Sequence, residues 1–266
     1  MQASTFERYQ RGDSRLHRLD PRIKVVMTAL FILATLLIPD GAWLALLLTL
    51  IVTLFLTSLA ELSPGFVLKR SLVILPFTLT AFTIIFATPG AQWGLWHLGP
   101  WTLTVTDAGV IRFASILARS LLAVSVAILL TATTPFADLL HAFRHLRLPG
   151  SLVGVLAFMY RYLFVLGEEV ARLQRARQAR SARPRQRTGV RRLLWQGRVV
   201  GGMVGQLFLR SLERGERVHQ AMLARGYRGH IYTLTPHAIT RQDWLFAAAG
   251  VLTLAAIQLV ARSPLR

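Results

Sequence analysis

The sequence predicts an all-α, polytopic membrane protein with about five transmembrane helices and a cytoplasmic module of crossed amphipathic helices. Three observations predict it. The 266-residue chain is 53% hydrophobic, more apolar than soluble domains usually are. Its apolar residues gather in uncharged runs close to the roughly 17–25 residues that cross a hydrocarbon core. Its net charge of +19 is confined to other segments: residues 161–230 hold 16 of the 31 basic residues against four acids, while residues 25–60 hold no lysine or arginine. Blocks separated in this way fit a bilayer bundle joined to a basic cytoplasmic part.

The first apolar run follows a long polar arm, and no small-residue cleavage site comes after Ile38 and Pro39. It therefore reads as a retained span, 23–38, rather than a signal peptide. That run is short, so it tilts or spans only in part, helped by Pro39-Asp40-Gly41. Further spans are expected at 42–60, 71–88, 110–133 and 243–261. Between the third and fourth, residues 88–109 have no Lys or Arg but include Trp93, Trp96 and Trp101. Interfacial tryptophans without positive charge suit the outer side of a membrane.

The positive-inside rule orients the chain. Arg8, Arg11, Arg15, Arg18, Arg22 and Lys24, and then Lys69 and Arg70, belong in the cytoplasm. Four spans then return residue 134 to the same side. The stretches 150–166 and 193–212 are apolar enough to be ambiguous. If 150–166 crossed, the basic segment 172–192 would lie outside, so both are read as long helices against the cytoplasmic end of the bundle. The carboxyl terminus then lies outside, with Arg262 and Arg266 as mild exceptions. The expected division is 1–133 (arm and four-helix bundle), 134–241 (cytoplasmic coupling module) and 242–266 (last transmembrane helix).

Within the module, Pro135 opens a short amphipathic helix, Phe136 to Leu146, broken by Leu148-Pro149-Gly150. A second helix runs from about Ser151 to Arg180 and stops before Pro184. A charged linker, Arg183 to Gly189, leads to a third helix, about Val190 to Arg225, with Gly226 as its carboxyl cap. Gly197, Gly201 and Gly205 form a small-residue stripe at four-residue spacing, which lets another helix approach closely. They are expected near the point where the two long helices cross.

One phrase occurs twice. Glu168, Arg172, Ala176, Ala179, Arg180 and Ser181 reappear 45 positions later as Glu213, Arg217, Ala221, Ala224, Arg225 and Gly226. The first three residues and the final arginine are four apart, so each copy lines one helix face. Cations near helix carboxyl termini are common in their own right. Here the context repeats, and Ala179 and Ser181, like Ala224 and Gly226, keep each arginine on a narrow tip. A guanidinium offers five fixed donors to carboxylates or carbonyls in a groove. Two matching tips imply two matching sockets, hence a partner with twofold symmetry.

Catalytic patterns are missing. No Gly-x-x-x-x-Gly-Lys-Ser/Thr loop, no Ser-His-Asp arrangement and no carboxylate pair within a span can be assigned, so the chain reads as a non-catalytic subunit without a cofactor. Zero cysteines exclude disulfides and thiolate metal sites. His141 and His145 have metal-compatible spacing but no acidic or cysteine companion, so no metal site is assigned. Arg119, a charge inside a span, reads as an anchor. Two rival readings are a self-sufficient secondary transporter centred on Arg119 and a membrane-anchored nucleic-acid binder using residues 172–198. The long apolar runs argue against nucleic acid as a partner; the lipid bilayer is the surrounding implied.

These residues resemble the CbiQ/EcfT family, the transmembrane T component of energy-coupling factor (ECF) importers. The resemblance rests on Asp13-Ser14-Arg15-Leu16-His17-Arg18-Leu19-Asp20-Pro21-Arg22-Ile23-Lys24, on Thr133-Thr134-Pro135, on Arg161-Tyr162 with Glu168-Glu169, and on Ala221-Met222-Leu223-Ala224-Arg225-Gly226-Tyr227-Arg228-Gly229. The first tip departs from it, with Ser181 where glycine is frequent. The resemblance implies a subunit of the bacterial inner membrane, amino terminus and coupling helices cytoplasmic. Its coupling arginines, matched here by Arg180 and Arg225, enter grooves on two ATP-binding-cassette (ABC) ATPase subunits (CbiO-like). Its bundle holds a substrate-binding membrane subunit (CbiM-like), with a small accessory membrane subunit (CbiN-like). Cobalt is the implied cargo, with nickel, biotin or another vitamin as the alternative.

Overall fold

A computed structural model describes residues 9–10, 12–89, 92–98, 101–180, 189–229 and 239–263. Ser181, most of the expected linker, Arg8 and Arg11 lie outside the described residues. The chain divides into two compact units, Met1–His145 with Pro236–Arg266, and Leu146–Thr235. The short helix after Pro135 thus falls in the first unit, whereas the sequence division groups it with the module.

Local chemistry fixes the first unit's opening. The Ser14 hydroxyl accepts from the His17 N–H to start α1 (Arg15–Arg18), and Asp20 Oδ1 accepts the Arg22 N–H at 2.8 Å to start α2 (Pro21–Leu36). Pro21 stands in the first turn of α2, where it has no hydrogen bond to lose. Gly41, at φ 82°, turns the chain into α3 (Trp43–Leu59). Ser63 then caps α4 (Pro64–Ser71). Beyond α4 the backbone breaks into 3₁₀ turns, α5 (Leu75–Leu79) and α6 (Ile84–Ala87), with a bend of 47°. Pro76 has no N–H to reach back one turn, which disrupts the helix there.

An antiparallel hairpin, β1 (Gln92–Leu98) and β2 (Trp101–Thr106), occupies the segment between the third and fourth expected spans. It is the one departure from the all-α expectation among the described residues. Next come α7 (Asp107–Thr133) and α8 (Phe136–His145). The second unit contributes α9 (Gly150–Arg180) and α10 (Val190–Ala224), and α11 (Arg241–Arg262) returns to the first.

Helices α2, α3, α7 and α11 pack together. Ile38, Ala45, Leu46, Leu122, Ile257 and Ala261 form a core near the α2–α3 turn, and Leu16, Ala60, Leu62, Val67, Leu129 and Ala132 form one at the opposite end. Thr49, Thr53 and Thr57 make a buried stripe on α3, each hydroxyl donating to the carbonyl four residues back at 2.7–2.8 Å. Small side chains with their hydroxyls satisfied let neighbouring helices come close.

Hydrogen bonds at both ends set the register. Lys24 Nζ donates to the Thr133 carbonyl at one end, and the Gly41 N–H donates to Ser115 Oγ at the other, so α2 and α7 run antiparallel. The Asp20 N–H donates to Asp243 Oδ1 at 3.0 Å and Gln258 Nε2 donates to the Ala34 carbonyl, so α11 lies parallel to α2.

By length and composition, α7, α9 and α11 each suffice to cross a membrane, and the bent segment Pro64–Thr78 with Thr80–Phe86 counts as a fourth. Helix α3 is apolar but shorter. Helix α2 has 16 residues, about 24 Å, against a core of about 30 Å. Of the five expected spans, α7 and α11 therefore qualify singly and 71–88 only as part of a bent pair. Helix α9 qualifies as well, although the charge argument sets it at the cytoplasmic end.

Candidate functional site

The two long helices of the second unit carry the arginine tips. Arg180 is the last residue of α9 and is exposed beside Ala179. Ala224 is the last residue of α10, and Arg225 is its exposed carboxyl cap. Gly226 adopts φ 79°, its N–H donating to the Leu223 carbonyl at 2.9 Å, while the Tyr227 N–H donates to the Met222 carbonyl at 3.0 Å. These two bonds make a Schellman motif, which satisfies the last carbonyls and stops the helix at a defined residue. Only a left-handed residue closes that turn, which is why glycine suits position 226. Among the described residues, neither Arg180 nor Arg225 uses its guanidinium in an ion pair or hydrogen bond.

An ion pair ties α9 to α10. Arg210 Nη1 donates to Glu169 Oε1 at 2.6 Å, and Arg172 Nη1 lies 3.3 Å from Glu169 Oε2. Glu169 is buried while Arg172 and Arg210 stay largely exposed. The repeat singles out Glu168, which is exposed; its neighbour makes the contact. A partner 41 residues away leaves no periodic trace, so the sequence does not announce the pair.

Gly197, Gly201 and Gly205 lie along α10, the stripe expected near the crossing of the two long helices. A side chain built at any of the three meets nothing within 4 Å among the described residues. No described side chain of α10 is buried, and Val200, Val204, Phe208 and Leu212 on it are exposed. A helix of 35 residues with such a face is built to be covered.

The amino-terminal motif forms a polar clasp instead of a ligand site. Lys24 Nζ donates to the carbonyls of His17 and Thr133 at 3.0 and 3.3 Å. Asp243 takes the Asp20 N–H on one oxygen, and on the other the Thr240 N–H and hydroxyl at 2.8 and 2.6 Å. His141 Nε2 lies 3.1 Å from the Arg22 guanidinium, and His145 Nδ1 lies 3.1 Å from the His141 carbonyl. The histidine pair is thus engaged in protein hydrogen bonds. Arg119, read as an anchor, pairs with Asp40, an acid from the α2–α3 turn that the reading of spans alone does not supply.

Comparison with known proteins fits this layout. Residues 12–236 match the family model of the cobalt transport protein CbiQ. The chain is 32% identical to the "Energy-coupling factor transporter transmembrane protein EcfT" of Lacticaseibacillus paracasei, over 96% of this chain and 97% of the relative. It is 30% identical to the protein of the same name from Streptococcus thermophilus, over 84% of each chain. With the "Cobalt transport protein CbiQ" of Rhodobacter capsulatus it shares 29% identity over 56% of this chain and 59% of the relative. By the family match over residues 12–236 and the full-length likeness to its relatives, the chain belongs to the CbiQ/EcfT family of transporter transmembrane proteins, as a non-catalytic membrane component.

Proposed function

We propose that this chain is the energy-coupling subunit of an ECF-type importer in the bacterial inner membrane, with α9 and α10 on the cytoplasmic side. Arg180 and Arg225 enter grooves on two ABC ATPase subunits, flanked by Ala179 and Ser181 on one tip and Ala224 and Gly226 on the other. Closure of the ATPase pair moves the tips and, through them, a substrate-binding membrane subunit. The observation that carries this reading is the pair of exposed guanidiniums, unpaired among the described residues, at the ends of two long helices, one of them held by a Schellman motif. The stripe Gly197, Gly201 and Gly205, open on the exposed apolar side of α10, receives a helix of a neighbouring membrane subunit.

Cobalt is the cargo favoured by the CbiQ family match across residues 12–236, with CbiO-like, CbiM-like and CbiN-like partners. A vitamin cargo is the second reading, favoured by relatives named EcfT that align over more of the chain. The test is co-purification from membranes that also contain the candidate ATPases. Arg180→Glu and Arg225→Glu are expected to insert normally but to lose the ATPases and uptake. Retention of both by either variant defeats the coupling role. Uptake of labelled cobalt against labelled vitamins by the intact complex separates the two cargoes.

A further inference from the structure

We propose that Arg112, which shares the Asp40 carboxylate with Arg119, binds the phosphate of an anionic membrane lipid at the α2–α3 end of the bundle. The position follows from the register. Gly41 is hydrogen-bonded to Ser115, so the α2–α3 turn and residue 115 of α7 stand at one level. Trp43, half exposed at the start of α3, stands at this level, and Ala42 and Ala261 share one core cluster there. At the opposite end, Trp244 is 67% exposed in the first turn of α11. Exposed tryptophans favour membrane interfaces. From Trp244 to Ala261 the helix rises about 26 Å, close to the thickness of a hydrocarbon core.

Helix α7 continues past this boundary. Its residues 107–114 overhang the turn by about 12 Å. Arg112 stands about 4.5 Å beyond Ser115, at the depth of lipid headgroups, whereas Arg119 lies about 6 Å on the hydrocarbon side. Arg119 pairs with Asp40, and Arg112 Nε lies 3.6 Å from the other oxygen of the same carboxylate. Two guanidiniums thus share one carboxylate, leaving a formal charge of +1. Arg112 is 54% exposed and Asp40 40%, so the cluster is open to a ligand. Arg119 Nε is buried without a partner among the described residues, so the one acid does not saturate the pair. Guanidinium forks match phosphate oxygens, and a lipid phosphodiester is the phosphate found at this depth.

Native mass spectrometry of the full-length chain released from detergent, titrated separately with phosphatidylglycerol, phosphatidylcholine and inorganic phosphate, tests the site. Wild type is expected to retain phosphatidylglycerol, and Arg112→Gln to bind it about tenfold more weakly, the loss of one charge-assisted contact. Arg70→Gln, which removes a charge at the other end, should bind as wild type does. Asp40→Asn leaves two guanidiniums without their carboxylate and is expected to bind more tightly, a gain that misfolding does not imitate. Circular dichroism checks that each variant is folded. Equal binding by wild type and folded Arg112→Gln overturns the proposal, as does unchanged or weaker binding by folded Asp40→Asn. Retention of inorganic phosphate as firmly as lipid overturns the assignment to a membrane source.

Discussion

Asp243 joins two elements of the first unit at its end of the bundle. It closes a capping box with Thr240 and accepts the Asp20 N–H from a different helix. Asp243→Ala removes the cap and strands that buried donor, so the expected loss is about 2–3 kcal/mol, read as a lower melting temperature in detergent. Asp20 and Pro21 are readable as a helix start from local chemistry, because cap and proline act on their own neighbours. Asp243 is not, since its partner lies 223 residues away and nothing in the spacing links them. The same holds for Asp40 with Arg119: a charge inside a span announces a partner but does not name it.

Helix ends are legible where a residue type forces them. Gly226 and the run Leu148-Pro149-Gly150 bound α10 and α9 close to where the sequence places them. The strands 92–98 and 101–106 escape a reading of the sequence because their tryptophans also suit an interfacial loop, and the segment carries no helical period to exclude either. The bend between Thr78 and Thr80 is likewise hidden inside a run whose hydropathy is continuous. At Gly226 a Cβ has to enter the left-handed region, which costs about 1–2 kcal/mol. Gly226→Ala is thus expected to fray the last turn of α10, seen as faster amide exchange at residues 222–227 and weaker ATPase capture. Gly201→Leu should behave in the opposite way. Its new side chain meets open space, so the isolated chain melts as before, while co-purification of the substrate-binding subunit falls.

At the scale of the whole chain, the bundle's apolar belt is thin. Helices α2 and α3 have 16 and 17 residues, so bilayers thicker than about 26 Å have to compress around them. Melting temperature is expected to be higher in nanodiscs of short-chain than of long-chain phosphatidylcholine; a flat or reversed series contradicts a thin belt. Composition and charge asymmetry separate apolar from basic segments because both are sums over many residues. Which apolar helices cross is harder to read, since α9 carries a spanning-length stretch and an arginine-rich end in one element. The bond between positions 20 and 243 also bears on biogenesis. When a ribosome has made the first 230 residues, the amide at the start of the first long helix still lacks the carboxylate that will meet it. The nascent bundle therefore stays unsealed until its final segment emerges, and a chain cut short before that point offers quality-control proteases a loose end.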